Sequence, residues 1–202
     1  MDVQKKKTLA RMLIASTYTL CSALAAVWLY RHGGLTALGN RVVQNAVYAS
    51  DAALMLFLMH REGKPLRVYG LWKERPLRQL WIGAAIAGAM LLFALIVGWR
   101  PSAPESLIYL VCSQLLVAAA EELTFRGFLL TSMEELLGKP ERAVLLSAAL
   151  FGLWHYPMGQ SWGQVVGTFL IGAIFGALRT GVREEIGLPA LAIAHCIWNV
   201  AL

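Results

Sequence analysis

The sequence predicts an all-α, polytopic membrane helical bundle of about seven transmembrane helices with a four-helix catalytic core. Three observations predict it. The first is composition. Of 202 residues, 58% are hydrophobic and 15% charged, against roughly 45–50% apolar, glycine included, and about 25% charged in soluble domains. A soluble fold of this size has too little interior to hide so much apolar surface. Disorder, a disulfide scaffold, a coiled coil and an ordinary cytosolic enzyme are excluded. The second is that the apolar residues come in runs close to the ~20 residues a helical span requires. The third is that positive charge collects between alternate pairs of runs.

The runs are 9–30, 42–59, 80–99, 107–130, 143–156, 165–178 and 188–202. The first is too long for the apolar part of a cleaved signal peptide, and no small-x-small site marks a soluble domain after it. The last covers only roughly 22 Å as a helix. The polar stretch His60–Arg78 contains Pro65, Gly70 and Pro76 and reads as a loop, with an interfacial turn around Leu71 and Trp72. Pro140 suits the first turn of the fifth helix. Pro157 and Gly159 are expected to end that helix, and Gly187 and Pro189 to open the seventh. Gly163, Gly167, Gly172 and Gly176 give the sixth helix two small-xxx-small pairs, which favour close backbone packing on a neighbour.

The net charge of +6 belongs to topology. If the spans alternate, Lys5, Lys6, Lys7, Arg11, Arg61, Lys64, Arg67, Lys73, Arg75, Arg78, Lys139, Arg142, Arg179 and Arg183 fall on one side. Arg31, Arg41 and Arg100 fall on the other, and Arg126 lies within a span. The positive-inside rule then puts the N-terminus in the cytoplasm. The expected setting is a plasma membrane whose anionic lipids meet the basic loops, with no nucleic-acid partner. Cys21, Cys112 and Cys196 lack metal spacing and read as small buried apolar residues. Trp72, Trp81 and Trp99 fit an aromatic belt, and His32 and His60 sit at span ends.

Strongly polar residues deep in the spans are few: Asp51, Glu121, Glu122, Arg126, His155, His195 and Asn199. Charge inside a bilayer is costly and usually faces the bundle interior for a functional reason. Glu122 and Arg126 are i, i+4 on one helical face and neutralise each other. Glu121 is rotated about 100° away and lacks that partner. A poorly solvated carboxylate is a stronger base than one in water, which suits a general base acting on water. His195 and Asn199 also share a face and can point at one spot. At 1.5 Å per residue, Glu121 lies roughly 13 Å from the inner end of its helix, His155 roughly 18 Å along its own, and His195 and Asn199 roughly 10 and 16 Å along theirs. The three elements fall in one mid-membrane layer. Two carboxylates, an arginine, two imidazoles and an amide match water activation with oxyanion stabilisation, and so point to hydrolysis of a peptide bond within or at the membrane. Asp51 has no matching motif, and Cys196, adjacent to His195, diverges from it by about 100°.

The ordered set EELTFR, FGLWH and HCIWN resembles the three motifs of the CAAX-type prenyl proteases and bacteriocin-processing intramembrane proteases, the CPBP or Abi family. The family pattern is Glu-Glu-x-x-x-Arg, Phe-x-x-x-His and His-x-x-x-Asn on successive core helices. The resemblance covers roughly residues 105–202 as a catalytic core and leaves residues 1–104 as three peripheral spans of a single membrane domain. It implies that Glu121 with His155 activates water. His195 and Asn199 stabilise the oxyanion, and Glu122 and Arg126 organise the site. The implied partner is a membrane-associated protein or peptide substrate. The family includes both metal-dependent and metal-free descriptions. Two histidines and two glutamates offer ligands for Zn²⁺ in an open site, but no helical His-Glu-x-x-His is present, which favours a glutamate mechanism without a cofactor. Two other classes use similar residues: a transporter or proton relay, and a catalytically silent immunity or scaffold protein. No inverted repeat or paired broken helices support the former.

Overall fold

Each of the seven runs carries a helix among the residues that the computed structural model describes, 3–71, 76–98 and 107–201. Trp72, Lys73, Arg75, Trp99 and Arg100 lie outside the described residues. The helices are α1 (Val3–His32), α2 (Ala37–Glu62), α3 (Pro76–Ile96), α4 (Leu107–Glu122), α5 (Leu130–Leu137), α6 (Pro140–Gly159), α7 (Trp162–Gly181) and α8 (Leu188–Ala201). A 3-10 turn, Leu66–Tyr69, follows α2, and a π-helical segment, Leu123–Leu129, joins α4 to α5 as one uninterrupted rod. Among the described residues all regular structure is helical. α1, α2, α3 and α7 are long and apolar enough to cross a membrane, and α8 is a shorter apolar helix. The chain is a helical membrane bundle.

Several expectations change in detail. The fourth helix does not stop at 130 but runs to Leu137, because its last turns carry Glu134 and Glu135, which find cations at the bundle edge. α6 continues past Pro157 to Gly159 and closes on Gln160 in the left-handed region at φ 48°. Proline in a last turn removes a single helical hydrogen bond, and the Pro157 carbonyl accepts from Arg31 Nη2 at 3.3 Å. Cys21 and Cys112 are exposed on the outer surface of the bundle, and only Cys196 is buried. In a bilayer the outward face is as apolar as the core, so an apolar run does not say which way its cysteines point. Arg179 is not a loop charge. It lies in the last turn of α7, is buried, and donates to the Val68 carbonyl at 2.9 Å.

The spans alternate. The start of α1, the end of α2 and the end of α5 meet on one face, where Lys64 Nζ lies 3.0 Å from Glu62 and 2.7 Å from Glu135. Arg11 approaches Glu62 at 3.6 Å, and the Tyr69 hydroxyl donates to Glu62 at 2.5 Å. The same face holds the Arg183–Glu134 pair at 2.8 Å and the contact of Arg78 with Glu185. Gln79 of α3 ties it to the α7–α8 connection by donating to the Glu185 carbonyl and accepting from the Gly187 amide. One apolar cluster, including Met55, Phe128, Phe151 and Trp154, fills the space among α1, α2, α6 and the π segment. A second, around Ala87, Phe175 and Leu191, joins α3, α7 and α8.

α6 and α7 bridge the two clusters by close approach. A Cβ on Gly152 would lie 2.7 Å from the Val165 carbonyl oxygen, and one on Gly172 would lie 3.1 Å from the Phe151 ring. Of the four glycines expected to pack, Gly172 and Gly176 touch α6, whereas a Cβ on Gly167 would meet nothing within 4 Å. Gly152→Ala should therefore force the helices apart and cost about 1–3 kcal/mol, the usual penalty of overpacking, measurable as a lower melting temperature in lipid or detergent. The basic face makes a second prediction. Burial opposes the Lys64 charge, but hydrogen bonds to Glu135 and Glu62 outweigh it and hold the ammonium pKa above its ordinary value. Burial, then the bond to Glu62, also pushes the Tyr69 phenol upward. Both protonated forms are favoured by folding, so their contribution is full below about pH 10 and is lost as pH rises through the folded values. A Lys64→Met, Tyr69→Phe variant should lose stability less steeply than the parent across that alkaline limb.

Candidate active site

Antiparallel geometry explains why residues far apart in sequence reach one height. Glu121 lies 16 residues before Leu137 (137 − 121), and His155 lies 15 residues after Pro140 (155 − 140). Folding the chain back at Gly138, which adopts a left-handed φ of 63°, sets the two side by side. Glu121 is buried, and its Oε2 lies 4.0 Å from His155 Nε2 and 3.6 Å from His195 Nε2. Those separations are too long for direct hydrogen bonds and suit one bridging water.

Each imidazole is fixed through its other nitrogen. His155 Nδ1 lies 2.8 Å from the Phe151 carbonyl. A carbonyl only accepts, so Nδ1 carries the proton and Nε2 faces Glu121 with its lone pair when the ring is neutral. His195 Nδ1 lies 2.8 Å from Glu122 Oε1. The same oxygen accepts from Arg126 Nη1 at 3.1 Å, so the expected Glu122–Arg126 pair forms and α8 joins it. Glu122 and Arg126 are almost fully buried, at 0% and 1% exposed. Glu122 Oε2 and Arg126 Nη2 find no hydrogen-bond partner among the described residues.

Aromatic rings enclose the group. The Arg126 guanidinium stacks over Phe151 at 4.1 Å and lies 5.6 Å from the Phe175 ring. Phe151 stands edge-on to both His155 and His195, at 4.6 and 6.2 Å between centroids. Phe125 and Trp154 complete the wall. A cleft of about 240 Å³, lined by residues including Thr19, Phe125, Leu153 and Trp154, lies on the other face of that wall. The Trp154 indole donates to the Thr19 carbonyl at 3.1 Å, which pins the wall to α1.

The motif helix departs from α geometry here. Over Leu123–Leu129 the backbone is π-helical, and the Leu130 amide bonds the Phe125 carbonyl five residues back. That carbonyl also accepts from Ser147 Oγ of α6 at 2.8 Å. Such segments are rare and concentrate at functional sites.

Of the expected residues, Glu121, Glu122, Arg126, His155 and His195 come together. Asn199 is drawn elsewhere: its Nδ2 donates to Gln114 Oε1 on α4 at 3.2 Å. Asp51 is buried on α2 and accepts from Ser22 Oγ at 3.0 Å. Two contacts were not foreseen. The Tyr48 hydroxyl of α2 donates to Glu121 Oε1 at 2.8 Å, and Gln114 engages Asn199. Gln44, Tyr48 and Asp51 recur at i, i+4 and i+7, a polar stripe that an otherwise apolar span does not need. That stripe was the available signal for Tyr48.

Among the described residues, no three His, Cys, Asp or Glu side chains are grouped so as to hold a metal ion. Glu122 is already engaged by Arg126 and His195, and the remaining side chains do not form a ligand set as they stand.

No curated protein and no solved structure matches the chain. The family model described as type II CAAX prenyl endopeptidase Rce1-like matches residues 103–201, the span that holds all three motifs. That match is consistent with the CPBP intramembrane proteases that its motifs resemble.

Proposed function

We propose that this protein is an intramembrane endopeptidase that hydrolyses a peptide bond of a membrane-associated protein or peptide by glutamate-activated water. The observation that carries the reading is the geometry of Glu121 Oε2, which faces two imidazole Nε2 atoms at 3.6 and 4.0 Å in a buried layer. A water between Glu121 and His155 is oriented by both and gives its proton to the carboxylate as its oxygen attacks the peptide carbonyl. The new C–O bond leaves a tetrahedral oxyanion. When the C–N bond breaks, the proton passes from Glu121 to the leaving amine, and a carboxylic acid and an amine depart.

His195 serves the oxyanion. Its Nδ1 is committed to Glu122 at 2.8 Å, which turns Nε2 toward the shared space where the oxyanion forms. Asn199, one turn further along α8, exchanges its bond to Gln114 for the same oxyanion. Glu122 and Arg126 orient the site and do not react. Residues 105–202 hold the reacting groups and the first three spans frame them. In this reading no cofactor enters, and the basic face is cytoplasmic in a bacterial plasma membrane.

The test is cleavage of helix-anchored peptides in liposomes. Glu121→Ala and His155→Ala should each reduce the rate by about 10²–10⁴-fold, the usual span for losing a general base. Retention of the parental rate by both would defeat the reading and leave a silent or transporting protein. Stringent chelation should leave the rate unchanged; loss of activity restored by Zn²⁺ would replace the glutamate mechanism. For orientation, a cysteine placed in the 60–78 loop should resist membrane-impermeant thiol reagents in intact cells and react after lysis.

A further inference from the structure

Tyr48 has no part in the chemistry above, yet it touches the centre of the site. It lies on α2, outside residues 103–201. Its hydroxyl donates to Glu121 Oε1 at 2.8 Å, and its ring packs edge-on against Trp154, the neighbour of His155, at 5.8 Å. Tyr48 is itself buried. The two oxygens of Glu121 are thereby divided. Oε1 is held by a phenol from another helix, and Oε2 faces the two imidazoles.

The last torsion of a glutamate is broad and nearly free. A carboxylate between two imidazoles, with neither bonded to it directly, needs an anchor to keep one oxygen aimed at a reacting water. The Glu122–Arg126 pair cannot supply it, because Arg126 Nη1 bonds Glu122. α2 makes separate interhelical bonds of the same kind that do not touch Glu121. Ser22 Oγ of α1 donates to Asp51, one turn beyond Tyr48, and Ser113 Oγ of α4 donates to Asn45, one turn before it, at 2.8 Å.

We infer that Tyr48 is a positioning residue for Glu121: its hydroxyl fixes one carboxylate oxygen so that the other faces the space between His155 and His195. The inference rests on the reading of Glu121 as general base. It makes α2 part of the working site, so that the matched half of the chain is incomplete without the spans before it.

The experiment compares full-length wild type with Tyr48→Phe, Ser22→Ala and Glu121→Gln in liposomes. The probe is the best-cleaved member of a quenched-fluorescent peptide library anchored by a single apolar helix. Tyr48→Phe keeps the ring against Trp154 and removes only the donor. Its kcat should fall roughly 10- to 100-fold, as for a lost hydrogen bond to a charged group, with KM within about twofold. Ser22→Ala removes an equivalent interhelical bond and should keep the wild-type kcat; loss of rate in both to the same degree would make Tyr48 a strut only and overturn the inference. Infrared difference spectra provide a readout that needs no turnover. The carboxyl band that disappears in Glu121→Gln should shift in frequency in Tyr48→Phe, and an unmoved band overturns the inference. Wild-type rates in Glu121→Gln, or no cleavage by wild type, would defeat the protease reading instead, while the infrared comparison still decides whether Tyr48 holds Glu121.

Discussion

A single carboxylate oxygen ties together the half of the bundle that carries the three motifs. Glu122 Oε1 receives Arg126 from its own helix and His195 from α8. None of the three could be tolerated alone, since an unpaired charge in an apolar interior costs several kcal/mol or more. The need to pair them sets the rotation of the α4–α5 rod and the height of α8. Arg126, once pinned, offers its flat face to Phe151 of α6 and Phe175 of α7. Four helices are thus registered against one ion pair, and the apolar clusters pack around that registration.

The polar groups of the candidate site inherit their order from this arrangement. Phe151 is the shared element: its ring covers Arg126 and stands edge-on to both imidazoles, while its carbonyl accepts a hydrogen bond from His155 Nδ1. A phenylalanine four residues before the histidine performs both tasks only on a helix, where i and i+4 stack. The aromatic wall also keeps the polar group apart from the cleft lined by Thr19, Leu153 and Trp154. Separation of this kind strengthens each electrostatic contact inside the site.

Much of this was legible in the sequence because the membrane makes charge scarce. Glu122 and Arg126 could be paired from spacing alone, and the common height of Glu121, His155 and His195 followed from helical rise. The limits have physical causes. Periodicity assumes 3.6 residues per turn, so the π segment, held in part by Ser147 from another helix, left no trace. Which carboxylate each histidine faces depends on helix rotation, and rotation is set by packing. Tyr48 reaches Glu121 across 73 residues of chain, and no local pattern encodes such a contact. Asn199 shares a helical face with His195, but its amide is taken by Gln114 of another helix. The outward cysteines show the same limit, because lipid and core are equally apolar.

The π segment also constrains how this chain can change. An i→i+5 turn accommodates one more residue than the α-helix would in the same place. Closing the ordinary ladder over the same number of residues would turn α4 by about 100° against α5. Glu121 and Glu122 would swing off the histidines although every motif residue remained in the sequence. Apolar side chains around the site can be exchanged for others of similar volume. The number of residues in this stretch cannot be varied so freely: here the chain is held to a length as well as to a composition.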